Sequence, residues 1–196
     1  MKYFKSLGML AVAAAALMAL ATSASADYVT TTTGGATQTS EIIHAVSEGG
    51  HVRLNTSLPV IECSSTVQGK VETHTGGTSG DAAEGAITAL TFTSCTNSWH
   101  VTTAVLGRLW IDWTSGHNGV VTSSGTTVTA TRFFVPCNFE TKHTKLGTVT
   151  GGSPATLHIE ARIPLESSSS ELCGRGDVIW EGNYITTSAL YVANGH

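Results

Sequence analysis

Thr156-Leu157-His158-Ile159-Glu160-Ala161-Arg162-Ile163 is the stretch that decides the fold class. In an extended chain Leu157, Ile159, Ala161 and Ile163 share one side, and Thr156, His158, Glu160 and Arg162 share the other. Alternation with a period of two is the pattern of a strand buried on one face. A second stretch, Arg108–Trp113, sets Leu109, Ile111 and Trp113 against Arg108, Trp110 and Asp112. Outward from these, short runs punctuated by Gly, Asn and Ser read as strands. They are Ile42–Val46, His51–Asn55, Val67–Thr73, Ala86–Thr93, His100–Leu106, Arg108–Trp113, Thr126–Val135, Ala155–Ile163, Val178–Thr186 and Ala189–Val192. Ser115-Gly116-His117-Asn118-Gly119 reads as a turn and Glu166 to Glu171 as a polar surface loop. About ten strands with one-sided burial and no amphipathic helix predict an all-β domain. Antiparallel sheets packed face to face, a β-sandwich rather than a barrel, suit that pattern.

The cysteines repeat across two halves. Cys63 is followed by Gly69-Lys70-Val71, Thr75-Gly76-Gly77 and Cys95. Cys137 is followed by Gly147-Thr148-Val149, Thr150-Gly151-Gly152 and Cys173. Gly69 to Cys95 and Gly147 to Cys173 are both 26 positions. This echo reads as a weak internal duplication. Four cysteines allow three pairings, and the duplication favours Cys63–Cys95 with Cys137–Cys173. No Cys-x-x-Cys pair or common zinc spacing competes with two disulfides.

Residues 1–26 have the form of a secretory signal. Lys2 and Lys5 precede the apolar run Leu7 to Leu20, and Ala24-Ser25-Ala26 is a small-x-small cleavage site that leaves Asp27 first. The run is shorter than the roughly 20 residues a membrane span needs. Removing Lys2 and Lys5 leaves eight basic residues against fourteen acidic ones and moves the net charge from −4 to −6. An acidic chain without Lys/Arg clusters is poorly suited to nucleic acid or anionic membrane. Residues 27–40, rich in Thr30 to Thr33 and carrying few apolar side chains, read as an extended arm; residues 41–196 form one domain. Disulfides and an export signal point to a secreted or cell-surface protein.

Motifs for catalysis are sparse. The chain has no Gly-x-Ser-x-Gly elbow, phosphate-binding glycine loop or His-Glu-x-x-His. His158-Ile159-Glu160 resembles the His-x-Glu of zinc deaminases but lacks their Pro-Cys-x-x-Cys, and its polar pair falls on the solvent side of the strand. Asp112 and His117 read better as a strand-end carboxylate and a turn histidine than as parts of a triad. Arg175-Gly176-Asp177 reads as a tight turn after Cys173, and Asn55-Thr56-Ser57 is a glycosylation sequon. The reading is therefore not an enzyme, with no catalytic residue, metal or cofactor. Trp99, Trp110, Trp180 and Tyr184 are the candidates for a hydrophobic-contact surface, with packing around the disulfides as the competing role.

Pro59-Val60-Ile61-Glu62-Cys63-Ser64-Ser65-Thr66-Val67, with Gly69 and Val71, resembles the core of a family of small secreted bacterial proteins, the alkane-oxidation protein activators. So does Gly85-Ala86-Ile87-Thr88-Ala89-Leu90-Thr91-Phe92-Thr93-Ser94-Cys95 followed by Trp99. The likeness runs from about Leu58 to the second cysteine pair. It implies a secreted, non-catalytic accessory that helps cells use hydrocarbons, with a hydrophobic substrate or surfactant as partner. The alternative is a surface or filament subunit, partnered by copies of itself, whose 27–40 arm adds a strand to a neighbour's sheet edge.

Overall fold

The computed structural model describes residues 27–34, 41–48, 52–55, 60–72, 82–174 and 176–194. Residues 1–26, read above as a signal, residues 35–40 of the predicted arm, and Thr56, Ser57 and Arg175 lie outside them. The described residues form fourteen strands. These are β1 (Tyr28–Thr30), β2 (Glu41–Ser47), β3 (Val52–Asn55), β4 (Ile61–Glu72), β5 (Ala83–Thr93), β6 (His100–Val105) and β7 (Arg108–Ser115). There follow β8 (Asn118–Ser124), β9 (Thr127–Arg132), β10 (Val135–Glu140), β11 (Thr144–Thr150), β12 (Thr156–Ile163), β13 (Val178–Thr186) and β14 (Tyr191–Ala193). Single 3-10 turns occur at Thr96–Ser98 and Glu171–Cys173.

The main sheet closes on itself. Its order is β12-β11-β8-β7-β5-β4-β2-β13, and β13 pairs back to β12 along eight positions from Thr156↔Ile185 to Ile163↔Val178. β3 continues the place of β2 between β4 and β13. The all-β class holds, but the expected sandwich is corrected to an eight-position antiparallel barrel. One-sided burial is common to both, because a sheet that curls shut also keeps one face inside. What decides is curvature. Register shifts between Gln68 and Gly69 in β4, Lys145 and Gly147 in β11, and Trp113 and Ser115 in β7 are bulges that bend and coil the sheet.

Both ends of the barrel are covered. At one end a two-stranded ribbon, β1 with β14, lies over the turns joining β7 to β8 and β11 to β12. The Val192 N–H donates to the His117 carbonyl, Gly152 and Leu190 form a bridge, and the Trp113 N–H donates to the Asp27 carboxylate at 2.7 Å. Val29 and Val192 are buried beneath the ribbon. The first part of the predicted arm is thus already paired within its own chain. The other end carries a three-stranded sheet, β10-β9-β6. β8 and β11 leave the barrel together and continue as β9 and β10, making one long bent hairpin over residues 118–150. At the bend, Ser123 Oγ lies 3.0 Å from Thr126 Oγ1 and 3.2 Å from Thr141 Oγ1, and the Thr126 N–H donates to Thr141 Oγ1. All three hydroxyls are buried, so they satisfy one another where the ladder is broken.

Inside the barrel, Phe92, Trp180 and Tyr184 stack edge to face with centroids 6.0 and 6.3 Å apart. The Tyr184 hydroxyl donates to Ser65 Oγ at 3.0 Å. Burial pushes its acidity well below that of an ordinary phenol, so it stays a neutral donor. Beside this column the interior holds an apolar cavity of about 80 Å³. A void of that size costs about 2 kcal/mol at roughly 24 cal/mol per Å³.

The disulfides pair as the repeat suggested, Cys63–Cys95 and Cys137–Cys173. The two echoing glycines both stand at bulges, yet their surroundings differ. A methyl group on Gly69 would sit 3.5 Å from the Ala86 carbonyl oxygen and 3.7 Å from Leu109 Cδ1, ordinary contacts. On Gly147 it would run into the His158 carbonyl and come within 3.0 Å of Ile159 Cα. Gly147→Ala is therefore expected to lose about 2–3 kcal/mol through overpacking. Gly69→Ala should be neutral or gain up to about 1 kcal/mol from a stiffer unfolded chain. Urea midpoints with unchanged slopes would check both.

Candidate functional site

The predicted contact surface is mostly interior. Trp180 and Tyr184 share a face of β13, as their spacing suggested, but that face is the inside of the barrel, and Tyr184 is 1% exposed. Trp99 is 7% exposed. Trp110 is half-buried, its ring 5.5 Å from that of His143. Trp180 and Tyr184 are thus corrected from surface to packing residues, because one-faced alternation does not say which face is wet, and Trp99, which precedes β6, is largely covered too. His158 and Glu160 do point outward, with His158 Nδ1 2.7 Å from Asn183 Oδ1. Asp177 is paired with Arg162 at 3.6 Å rather than displayed. His117 packs against Tyr191.

An apolar surface does exist, elsewhere. β9 and β10 are joined by Phe133 and Phe134 alone, with Arg132 facing Val135 across the hairpin. Both phenylalanines have positive φ, 48° and 67°. A two-residue hairpin loop with φ positive at both places is the geometry normally taken by Asn-Gly, since those residues tolerate it. A bulky aromatic side chain there is an outlier, costing roughly 1–2 kcal/mol per residue. The strain secures little packing: Phe133 is 76% exposed and Phe134 100%.

The neighbourhood extends this apolar tip. Leu172, 72% exposed, stands on the Glu171–Cys173 turn, which Cys173 fastens to Cys137 of β10. The Arg132 guanidinium lies 4.7 Å from the Phe133 ring centroid and 5.8 Å from that of Trp99. It forms cation–π contacts to both rings. Phe133, Leu172, Trp99, Val135, Cys137 and Arg132 line a depression of about 420 Å³ beside the tip. Trp99 therefore belongs to the site after all, as its floor. Exposed apolar clusters on a small protein mark contact sites, and backbone strain held at an exposed position points the same way.

A second cluster is electrostatic. The Asp112 carboxyl is pushed above its ordinary value of 3.8 by partial burial and then by the charge of Asp27, with His143 working against both. The folded state therefore holds this proton more tightly than the unfolded chain. Its contribution to stability is complete below the unfolded value and is lost as pH rises through the folded one. Asp112→Asn is expected to match the parent near pH 3 and to melt above it once pH passes the ordinary carboxylate range. Paired melting curves across that range would show the divergence. Among the described residues no three His, Cys, Asp or Glu side chains are grouped to hold a metal ion, and no helix is long and apolar enough to cross a membrane. No protein-family model matches the chain, and no curated protein or solved structure shows significant similarity to it.

Proposed function

We propose that this chain is an exported, non-catalytic accessory protein that contacts a hydrophobic substrate phase, hydrocarbon or surfactant-coated oil, through the Phe133–Phe134 tip. The observation that carries the reading is two adjacent aromatic side chains held at positive φ and left in water. The tip is convex, and its rings stand clear of the sheet. A fluid apolar phase can close around such a shape without a matching pocket. The resemblance to alkane-oxidation protein activators supports hydrocarbon as the phase, and two disulfides suit an oxidising exterior. Strand exchange through the arm is the weaker alternative, because Tyr28–Thr30 is already paired with β14 and Val29 and Thr30 are buried.

The test is adsorption of the mature protein to a hexadecane–water interface, measured by drop tensiometry. The parent is expected to lower interfacial tension, and the variant carrying Phe133→Asn and Phe134→Gly is expected to lose most of that effect. Equal adsorption by the two proteins would remove the proposal.

A further inference from the structure

We infer that the barrel interior is a binding site for one small non-polar molecule of roughly three to six heavy atoms. This rests on the interior and not on the hairpin tip, so either reading can fail alone. The cavity of about 80 Å³ is enclosed by side chains from the whole ring of strands: Ala45, Val67, Ile111, Val121, Leu146 and Ile159 contribute to its wall. No polar atom reaches its surface. The hydroxyls near it are committed elsewhere. Ser123, Thr126 and Thr141 bond to one another, Tyr184 to Ser65, and Thr186 Oγ1 to the Ser188 carbonyl at 2.6 Å.

Those two facts fix the chemical class. A buried water needs two to four polar partners, and a space lined only by hydrocarbon stays dry and admits apolar guests. A water needs about 10–15 Å³ measured this way and occupies about 30 Å³ in the liquid, which brackets the guest at about three to six heavy atoms. An eight-stranded barrel is also the size at which the interior passes from filled to able to hold one small ligand. Here small residues make the difference. Gly85, Gly69 and Ala45 stand on adjacent strands β5, β4 and β2, where larger side chains would occupy the space. Gly85 is forced, since a methyl group there would meet the Lys70 carbonyl at 2.5 Å. Gly69 is not forced, since a methyl group fits. The room beside Gly69 is thus not dictated by the backbone.

The probes are xenon and n-pentane. ¹²⁹Xe chemical-shift titration of the mature protein is expected to show one saturable site, with amide shifts concentrated at residues such as Val121, Leu146 and Ile159. Saturating n-pentane should displace the xenon and raise the melting temperature. Ala45→Leu, which places a side chain in the cavity, should weaken xenon binding at least tenfold. Should that variant fold poorly, Gly69→Ala serves as a milder filler, with an expected several-fold loss. The Phe133→Asn, Phe134→Gly variant should keep the parental xenon site. Absence of a saturable xenon site in the parent would overturn the inference, as would full xenon affinity in a folded Ala45→Leu protein. Xenon binding that pentane neither displaces nor mimics would overturn the hydrocarbon class.

Discussion

Replacing Phe133 and Phe134 by Asn and Gly is expected to move interfacial adsorption and folding stability in opposite directions. Burying a phenylalanine side chain in an apolar phase is worth about 1.5–3 kcal/mol. Two rings that start 76% and 100% exposed therefore supply about 3–6 kcal/mol of the drive to the interface. Their loss should lower the adsorption constant by at least about a hundredfold, at about 1.4 kcal/mol per factor of ten. Stability should rise. Asn-Gly is the preferred pair for a two-residue hairpin loop, and removing two side chains from positive φ relieves roughly 1–2 kcal/mol each. Few packing contacts are lost, chiefly the Arg132 guanidinium over the Phe133 ring. A structural role for the pair would give the reverse, with lower stability and little change at the interface. The two readouts together separate a contact tip from a misplaced piece of core. Phe134→Ser alone should give an intermediate adsorption loss, since Phe133 remains.

The alternating run that announced β12 was legible because the strand has one wet and one drier face along its length, whereas in β7 only Ile111 is fully buried and the alternation survives in the sequence more than in the burial. β8 and β11 were not. Their inward positions include Ser123 and a glycine, and Ser123 becomes a core residue only because Thr126 and Thr141 come to meet it. Barrel closure was equally hidden, since it is a matter of register between β12 and β13 and of bulges that no composition announces. The tip is the instructive miss. Thr126–Val135 read as one strand, whereas the chain turns at Phe133–Phe134, where the usual Asn-Gly signal is missing. A subtler signal was present. Val128 and Ala130 have even numbers, while Cys137 and Phe139 have odd ones, and all face the interior or pack against it. That change of parity cannot occur in a single regular strand, but it is what a two-residue loop produces, as the pairs Cys137↔Ala130 and Phe139↔Val128 show. Trp180 and Tyr184 fail for a related reason: period identifies which residues share a face, and only the assembled sheet decides whether that face is inside.

The largest stability effect is expected from removing both disulfides. Closing loops of 32 and 36 residues restricts the unfolded chain by an amount worth about 3.7 and 3.8 kcal/mol in the chain-entropy treatment. Loss of both, about 7.5 kcal/mol, is comparable with the whole stability of a typical domain, about 5–15 kcal/mol. The two bridges should not be equivalent in what they let go. Cys63 of β4 and Cys95 join neighbouring strands of the barrel wall, where Ser64 already pairs with Thr93. Cys63→Ala with Cys95→Ala should therefore lower the global unfolding free energy, and with it the protection of the slowest-exchanging core amides, without adding a local opening. Cys137 and Cys173 instead tie β10 to the long connection between β12 and β13, and so hold Leu172 beside the tip. Other contacts hold the first part of that connection to β10: the Asn138 N–H donates to Ser169 Oγ, the Glu140 N–H to the Pro164 carbonyl and the Glu166 N–H to the Asn138 carbonyl, and Phe139 bridges to Leu165. Cys137→Ala with Cys173→Ala should thus add a local opening, with exchange protection lost first in the Glu171–Cys173 turn, whose Cys173 and Gly174 N–H groups bond only within the turn. Alanine is the right replacement because Cys63 and Cys137 are buried in the apolar core, where a serine hydroxyl would lack a partner. A loss below about 1 kcal/mol for each pair would mean that the unfolded chain is already constrained by residual structure.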